Sequence, residues 1–319
     1  MEDRLGGPLI CPTCRRPGWA SPLLAGSTTC SNDGCGRVHP LLGGTQIPLL
    51  IPGATDEYMA PDTLVDFSDP ADVAAWLADL DPGSGPWESA LRLGMYAVGH
   101  YGADDTLFTR LYRRFIEPLA AAEIRVAIDL GCGVGGLAQV LARGTGGHVI
   151  AIDADPLALR LGSAVSSASE ITVPAVHDGV RLRTHTIPIN YTAPSASIEW
   201  LCADVHNPPL MPEAFDLVTA VNLIDTTADP VVALGQAAAL VRPGGHLLLA
   251  QPDAWSASAT DPARWVPSND ATWDDLLRQY GLETIDREDG FDWELARTPR
   301  YRFRYVAHAT LARRVSRPS

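Results

Sequence analysis

The sequence predicts an α/β protein built on a doubly wound, mostly parallel sheet, with a small metal-binding module before it. Strand and helix patterns alternate between residues 124 and 250, as they do when helices connect parallel strands. A glycine-rich turn follows the first of these strands, and four of the six cysteines lie within the first 35 residues. At ~150 residues per domain, the length of 319 residues agrees with about two domains.

The sheet is predicted from short apolar runs that each end at a turn. In chain order these runs are Val126–Asp129, Val149–Asp153, Ser197–Ala203, Leu217–Val221 and His246–Ala250. Residues 301–310 alternate with period two, which predicts a final, antiparallel strand. Residues 171–196 are too long and too rich in proline for a simple connection, so they are predicted to form an insertion.

Three helical patterns precede the sheet, and their apolar stripes predict faces that pack on a core. The first begins at Ser68-Asp69-Pro70, where an aspartate cap and a proline make a typical helix start. The others cover residues 87–101 and 105–122. The predicted division of the chain is an N-terminal module (1–53), a helical linker or cover segment (54–122) and the core (123–319).

The charge composition excludes some chemistries and disfavours others. All 24 basic residues are arginine, so a lysine Schiff base, a lysine anchor for pyridoxal phosphate and a P-loop lysine are excluded. The net charge of −14 disfavours nucleic acid as a partner, because an acidic surface repels phosphates. No apolar run reaches the ~18–20 residues of a membrane span, and no signal-peptide pattern is present, so we expect a cytoplasmic protein without a membrane partner.

The first four cysteines form two pairs, Cys11-Pro-Thr-Cys14 and Cys30-Ser-Asn-Asp-Gly-Cys35. Two such pairs can close a tetrahedral Zn²⁺ site, and four thiolates leave no open position, so the metal is predicted to be structural. A disulfide pair is the competing interpretation, which a reducing compartment opposes. A redox CxxC is opposed by Pro17-Gly18, which interrupt the helix it would open. His39 is an alternative to one thiolate.

The stretch Cys35-Gly-Arg-Val-His-Pro-Leu-Leu-Gly-Gly-Thr-Gln-Ile-Pro-Leu-Leu50 resembles the end of the small zinc-ribbon proteins that activate tRNA and protein methyltransferases. The resemblance covers residues 8–52. His39 stands where that family has an aromatic residue, and Gln46 stands where it has glycine. The resemblance implies a zinc ribbon in a methyltransferase context and carries no catalytic residue.

The glycine-rich turn reads Asp129-Leu-Gly131-Cys-Gly133-Val-Gly135-Gly136. Glycines allow a tight turn and a closely approaching ligand, and the helix that follows presents free N–H groups to an anion. With Asp153 about twenty residues further on, the turn also satisfies the dinucleotide pattern, so a nicotinamide enzyme is an alternative. Asp129, however, can accept a hydrogen bond from a ligand ammonium. Dinucleotides have no ammonium, whereas S-adenosylmethionine (SAM) has one.

Two further motifs accompany this turn. A strand ends in Ala203-Asp204 before Phe215-Asp-Leu-Val-Thr-Ala-Val-Asn222, and Ala239-Leu-Val-Arg-Pro-Gly-Gly precedes another strand. With the glycine turn, these motifs resemble the class I SAM-dependent methyltransferases over residues 90–310. The resemblance implies SAM as the cofactor and a Rossmann-like methyltransferase sheet with an antiparallel last strand.

The resemblance also implies a role for each matching residue. Asp129 orients the SAM amino group, and Asp153 binds the ribose hydroxyls. Asp204 and Val205 bind the adenine. The other cofactor residues it implies are Gly131, Gly133, Gly135, Ala154 and Asn222, the last of which faces the reacting methyl. The structural alternatives are a loop aspartate at Asp204 and a turn former at Asn222.

Methyl transfer chiefly requires that nucleophile, methyl and sulfur are aligned and that water is excluded. A general base is needed only if the nucleophile arrives protonated. The sequence therefore offers candidate catalytic residues that each have a structural alternative: Asn222, Asp225, Tyr101 and His100. We expect the helix that ends in His100 and Tyr101, together with the insertion, to cover the acceptor, with His185 and Tyr191 facing them.

Two finer resemblances concern the methyl acceptor. Ala220-Val-Asn-Leu-Ile-Asp225, with the later Gln251-Pro-Asp-Ala-Trp255 and Trp265, is similar to the methyltransferase domain of ovothiol synthases, which methylate an imidazole nitrogen. Gln251 and Asp253 replace a serine and a tyrosine of that family. The cysteine module and Ala97-Val-Gly-His-Tyr101 are similar to rRNA guanine methyltransferases.

We therefore predict a methyltransferase that acts on a nitrogen or oxygen of a small polar molecule, of amino-acid or imidazole type. An rRNA or tRNA base methyltransferase is the alternative, because arginines and aromatic residues after Ala296 can form an RNA groove. The alternation of these arginines instead favours a strand with a solvated outer face. An NAD-dependent oxidoreductase and a non-catalytic SAM-binding scaffold are the remaining alternatives.

Overall fold

The computed structural model describes residues 9–16, 20–52, 64–119, 124–190 and 197–315. The helices are α1 (Pro70–Ala78), α2 (Gly85–Tyr101), α3 (Leu107–Leu111), α4 (Gly136–Thr145), α5 (Pro156–Val165), α6 (Pro230–Leu240) and α7 (Asp270–Gln279). The strands are β1 (Val126–Leu130), β2 (His148–Asp153), β3 (Glu170–Val176), β4 (Leu182–Pro188), β5 (Ile198–Cys202), β6 (Phe215–Val221), β7 (Val241–Gln251), β8 (Leu282–Thr298) and β9 (Tyr301–Arg314).

Seven strands form one sheet in the order β5-β2-β1-β6-β7-β9-β8. The strands from β5 to β7 are parallel, and β9 pairs antiparallel with β7 and β8. Every residue of β6 is buried, since this central strand is covered on both faces of the sheet. The predicted fold class and its antiparallel last strand are thus confirmed.

Aspartate caps followed by proline begin several of the helices that cover the sheet. Asp69 caps α1 by accepting a hydrogen bond from the backbone N–H of Ala71 at 2.8 Å. Asp155 and Asp229 begin α5 and α6 in the same way. Each cap satisfies N–H groups that the first helical turn leaves unpaired. The helix start predicted at Asp69 is confirmed.

The insertion between α5 and β5 contains an antiparallel hairpin of β3 and β4, and this hairpin packs on α2. Gly94 of α2 lies so close to β3 that a Cβ atom there would be 1.7 Å from the carbonyl oxygen of Pro174. The backbone N–H of Thr172 in β3 donates to the carbonyl of Phe67, just before α1, at 2.9 Å. The hairpin therefore braces the helices that precede the sheet.

The N-terminal module docks on the free edge of β5. The backbone N–H of Leu50 donates to the carbonyl of Cys202 at 2.7 Å, and the N–H of Cys202 donates to the carbonyl of Pro48 at 3.0 Å. Leu49 thereby pairs parallel with β5 at Cys202 and extends the sheet by a short bridge. This contact protects an edge strand that would otherwise expose unpaired backbone groups.

The β8–β9 hairpin extends well beyond the rest of the sheet. Its pairing with β7 ends at the Gln251–His308 pair, whereas the pairing between β8 and β9 continues to Thr298 and Tyr301. Half of the hairpin therefore projects past the carboxyl end of β7. The period-two pattern of residues 301–310 predicts part of β9, whereas no pattern in the sequence predicts β8. None of the described helices is long and apolar enough to cross a membrane.

Candidate active site

A cavity of about 340 Å³ lies at the carboxyl ends of β1, β2, β6 and β7. In an open α/β sheet this is the edge where ligands bind. The turn after β1 and the connections after β6 and β7 form one side of the cavity. Residues of α2, α3 and the projecting half of the β8–β9 hairpin form the other side. The helical segment and the C-terminal hairpin thus enclose the edge at which the sheet presents its polar side chains.

The glycine turn after β1 lies against this cavity. Gly131, Gly133 and Gly135 have φ angles of 66°, 53° and 83°, left-handed conformations that glycine adopts readily. Gly131 and Gly133 line the cavity. At Gly135 a Cβ atom would lie 2.3 Å from the ring of Trp200, so this glycine permits the turn to pack on Trp200. The structure brings two of the three predicted glycines to the cavity.

Two carboxylates from neighbouring strands, Asp129 and Asp153, line the cavity together. Asp129 is buried and accepts a hydrogen bond from the Thr219 hydroxyl at 2.8 Å. Burial raises the pKa of Asp129 to about 7, and the nearby Asp153 carboxylate adds to this rise. Burial also raises the pKa of Asp153 to about 6. A bound cation would offset the cost of ionising both groups.

Each oxygen of the Asp153 carboxylate accepts one backbone hydrogen bond. Oδ2 accepts from the N–H of Gly133 at 2.7 Å, and Oδ1 accepts from the N–H of Asp155 at 2.9 Å. Because a carboxylate oxygen can accept more than one hydrogen bond, both oxygens keep capacity for ligand hydroxyls. Asp153 therefore joins the glycine turn to the end of β2 and remains available to a ribose.

The residues predicted to bind adenine lie outside the lining of this cavity. Asp204 is half-buried and contacts His206 Nδ1 at 2.7 Å, and this histidine holds the pKa of Asp204 below its usual value. Val205 is buried beside it in the core. Ala154 is exposed after β2, and its carbonyl faces the Cys202 thiol at 3.8 Å. The adenine assignment of Asp204 and Val205 stays a prediction, and so does the cofactor role of Ala154.

The two candidate catalytic residues at the end of α2 have different positions. His100 is buried and lines the cavity, and its Nδ1 accepts a hydrogen bond from the N–H of Gly136 at 3.0 Å. Burial lowers the pKa of His100 to about 3, so its ring is neutral at pH 7. Tyr101 does not line the cavity, and its hydroxyl donates to the carbonyl of Val134 at 2.5 Å. Tyr101 thus anchors α2 to the glycine turn, and its catalytic role stays a prediction.

Asn222 and Asp225, which follow β6, both line the cavity. Asn222 has a φ of 53°, and its backbone N–H donates to the carbonyl of Ala250 at 2.7 Å. Oδ2 of Asp225 accepts from the N–H of Ala254 at 2.8 Å, and burial raises the pKa of this carboxyl. Within the described parts of the chain, Oδ1 of each residue is buried and has no hydrogen-bond partner. Two buried acceptor atoms are thus available to a ligand.

The cover of the cavity differs in part from the one expected. Tyr96 and His100 of α2 contribute to it, but no residue of the β3–β4 hairpin lines the cavity among those the structure describes. His185 is exposed on β4, where the hairpin packs on helices away from the site, and Tyr191 lies outside the described residues. Trp293 and Tyr305 of the β8–β9 hairpin cover the cavity instead. Only the long-range pairing of β8 with β9 places them there.

The arginines near the C-terminus are engaged mainly by neighbouring carboxylates. Arg304 contacts Asp292 at 2.7 Å across the β8–β9 hairpin, and Arg302 contacts Glu294 at 3.4 Å. Arg297 pairs with Glu88 of α2 at 2.8 Å, and Arg314 pairs with Glu213 at 3.0 Å. Arg317 is outside the described residues. This pairing favours the solvated strand face over an RNA groove, because the adjacent carboxylates offset the positive charge.

The two N-terminal cysteine pairs come together in space, although Cys14 and Cys30 are 16 positions apart in the sequence. Their sulfur atoms, which belong to free thiols, all lie within 4.8 Å of one another. Cys14 Sγ and Cys30 Sγ are 3.7 Å apart, close to the ~3.8 Å expected between sulfurs on a tetrahedron with Zn–S bonds of ~2.3 Å. His39, the alternative to one thiolate, is not part of the group of mutually close ligand atoms, and its Nε2 contacts Cys11 Sγ at 3.4 Å. The cluster fits a zinc ribbon.

Residues 128–249, from β1 to β7, match the family described as methyltransferase domain. The sheet order, the glycine turn and the paired carboxylates agree with this match. Residues 128–249 therefore carry a methyltransferase domain, and the predicted class of enzyme is confirmed for this part of the chain.

Two curated relatives illustrate what the chain is similar to. An uncharacterised 37.1 kDa protein of transposon TN4556 from Streptomyces fradiae is 30% identical over 148 residues, which are 46% of this chain and 35% of that protein. A ubiquinone biosynthesis O-methyltransferase from Cereibacter sphaeroides (strain ATCC 17029) is 26% identical over 192 residues, 55% of this chain and 67% of that protein. The chain thus spans 35% of the first relative's length and 67% of the second's.

Among solved structures, the chain is similar to the phosphoethanolamine N-methyltransferase 2 of Haemonchus contortus in complex with SAM. That likeness has a TM-score of 0.43 at 15% identity and covers 68% of this chain and 45% of the other. A SAM-dependent methyltransferase from Methanosarcina mazei gives a TM-score of 0.42 at 16% identity, over 61% of this chain and 94% of the other.

Replacing Asp153 with alanine is expected to weaken SAM binding by roughly 10- to 100-fold. If Asp153 binds the ribose, as the sequence predicts, the variant loses those hydrogen bonds, and charge-assisted hydrogen bonds contribute ~1.5–3 kcal/mol each. Calorimetric titration with SAM measures the effect, with Asp275→Ala as the control because Asp275 is exposed on α7. Unchanged affinity in Asp153→Ala would show that the ribose does not bind at the end of β2.

Proposed function

We propose that this protein transfers the methyl group of SAM to a nitrogen or oxygen of a small polar molecule bound in the same cavity. The observation that carries the proposal is the lining of that cavity. Asp129 and Asp153 lie at one part of it, and Asn222 and Asp225 lie at another, so it offers polar partners for two molecules.

The residues of the cavity fit SAM. Asp129 is placed to accept from the ammonium of the methionine moiety, and Asp153 from the ribose hydroxyls. Gly131 allows Leu223, which also lines the cavity, to pack on the turn, since a Cβ atom at Gly131 would lie 2.5 Å from the side chain of Leu223. When bound, SAM supplies a methyl group that is already activated by the positive charge on sulfur. The tasks left to the protein are alignment and the exclusion of water.

The dimensions and the cover of the cavity support a small acceptor. A volume of about 340 Å³ lies at the lower end of the range for small-molecule sites. Tyr96, Trp293 and Tyr305 shield it from one side. Asn222 is positioned to orient the acceptor through its free Oδ1, and Asp225 to take a proton from an acceptor that arrives protonated. The relatives named ubiquinone biosynthesis O-methyltransferase support methyl transfer to an oxygen as one form of this reaction.

The N-terminal module is part of the same proposal. Cys11, Cys14, Cys30 and Cys35 would hold one Zn²⁺, whose four thiolate ligands leave no position for a substrate. The module pairs with the edge of β5 and contributes no described residue to the cavity lining. The role of the metal in this proposal is therefore to stabilise the folded module.

Calorimetry with S-adenosylhomocysteine and with NADH tests the cofactor class. We expect S-adenosylhomocysteine to bind at one equivalent per chain, and NADH to bind at least about 100-fold more weakly, because only the former offers an ammonium to Asp129. Asp129→Asn should weaken the binding of S-adenosylhomocysteine, whereas Asp275→Asn should not. NADH binding that equals or exceeds that of S-adenosylhomocysteine would overturn the proposal in favour of an oxidoreductase.

A further inference from the structure

An aromatic wall, formed by Tyr96, Trp293 and Tyr305, runs along one side of the cavity. The ring centroids of Tyr96 and Trp293 are 5.8 Å apart at an interplanar angle of 21°. Those of Trp293 and Tyr305 are 5.6 Å apart at 37°. Burial raises the pKa of Tyr96 and of Tyr305, and the charge of Asp153 adds to the rise at Tyr96 as that of Asp225 does at Tyr305. The wall and both polar regions line the same cavity. Aromatic side chains attract cations through the negative potential of their ring faces.

Two side-chain oxygens beside this wall are acceptors without donor partners, whereas the Trp293 indole N–H, also without a hydrogen-bond partner among the described residues, lies beside Gly99 of α2. Asp225 is 1% exposed, and its Oδ1 has no partner among the described residues. Oδ1 of Asn222 is likewise buried and unpartnered within the same described set. A buried acceptor atom without a hydrogen-bond partner destabilises the folded protein, so a ligand that donates hydrogen bonds to these two atoms would be favoured.

The charges around the cavity point to the same kind of ligand. Three aspartates line it, Asp129, Asp153 and Asp225, and none of its described lining residues is an arginine. The buried imidazole of His100 is neutral. Since Asp129 and Asp153 face SAM in the proposed function, Asp225 is the charge that remains for the acceptor. A carboxylate or phosphate on the acceptor near Asp225 would meet like charge, whereas a cation would meet its counter-ion.

We propose that the methyl acceptor is a cationic amine, bound between the aromatic wall and the Asp225 carboxylate. The inference rests on the proposed function and names the substrate class for that site. Asp225 accepts a proton from the bound ammonium group. The freed nitrogen lone pair forms the N–C bond while the C–S bond breaks, and the electron pair of that bond goes to sulfur. The products are the N-methylated ammonium ion and a neutral thioether, and the proton on Asp225 passes to solvent.

Two probes of equal shape test the inference: choline, a cation, and 3,3-dimethylbutan-1-ol, its uncharged isostere. Both are titrated calorimetrically into the full-length protein saturated with S-adenosylhomocysteine. We expect choline to bind at least tenfold more tightly than the alcohol. Asp225→Asn should reduce this preference to about twofold or less, and Trp293→Leu should weaken choline binding about tenfold.

Two exposed side chains outside the cavity provide matched controls. Asp275→Asn removes an exposed carboxylate of α7, and Tyr301→Leu removes an aromatic side chain of β9 that is 52% exposed. Both should keep the choline preference of the wild type. Equal affinity for choline and the alcohol, or no binding of either, would overturn the inference while S-adenosylhomocysteine still binds. Failure to bind S-adenosylhomocysteine would overturn the proposed function itself.

Discussion

Replacing Cys14 with serine is expected to reduce the zinc content of the purified protein from one equivalent per chain to well below half an equivalent. Serine leaves three thiolates, and its hydroxyl is a poor ligand for Zn²⁺ at neutral pH. In small zinc modules the free energy of metal binding is folding free energy, so we expect a loss of stability on the order of 5 kcal/mol. Elemental analysis and thermal unfolding of protein purified without chelator measure the two effects.

The same variant separates the role of the module from that of the cavity. Loss of the metal should release the hydrogen bonds that join Pro48 and Leu50 to Cys202 at the edge of β5. S-adenosylhomocysteine should still bind, because no lining residue of the cavity comes from the described part of the module. Thr13→Ser is the control, since Thr13 is exposed within the same turn as Cys14. Wild-type protein with less than half an equivalent of zinc would contradict the assignment of the cluster.

Replacing Gly94 with alanine is expected to lower the free energy of unfolding by about 3 kcal/mol and to reduce methyl transfer. A Cβ atom at this position would lie 1.7 Å from the carbonyl oxygen of Pro174, which is backbone and cannot rotate away. Overpacking of this kind typically costs ~1–3 kcal/mol. The shift of α2 needed to relieve the clash would also move Tyr96 and His100, which line the cavity. Chemical denaturation and turnover measure the two consequences.

Gly85 provides the matched control for this change. It lies at the start of the same helix, and a Cβ atom there would have no neighbour within 4 Å. Gly85→Ala should therefore be neutral or slightly stabilising, since alanine reduces the entropy of the unfolded chain. If Gly94→Ala unfolds like the wild type, the β3–β4 hairpin does not brace α2 as closely as the distance between Gly94 and Pro174 indicates.

Local patterns were sufficient to predict the central part of the fold. The apolar runs that became β1, β2, β6 and β7 are buried on both faces, and such strands are visible as continuous apolar stretches. The glycine turn between β1 and α4 and the aspartate cap of α1 depend on interactions within a few residues. The spacing of the cysteine pairs is likewise sufficient to predict a metal site. In each case the information is contained in a short segment of chain.

The acceptor side of the cavity depends on contacts between distant segments. Trp293 faces Tyr96 only because β8 pairs with β9 and projects past the end of β7. β8 has a mixed pattern of burial along its 17 residues, and its pairing with β9 has three register shifts, so the sequence shows no regular alternation that predicts it. Tyr101 is a candidate catalytic residue in the sequence, but in the structure its hydroxyl donates a hydrogen bond to the carbonyl of Val134.

The amino-acid sequence is therefore enough to predict the α/β sheet, the cysteine cluster and the two carboxylates, Asp129 and Asp153, that the structure brings to the cavity. It does not establish which side chains face the acceptor. That outcome depends on where β8 and β9 end in space, how closely Gly94 lets α2 approach β3, and which polar atoms find partners elsewhere. Asp225 and Asn222 remain free acceptors because tertiary packing buries their Oδ1 atoms without supplying a donor from the described residues. The residue type fixes how many hydrogen bonds a side chain can make. Whether it finds partners depends on its neighbours in space, and only long-range packing determines those neighbours.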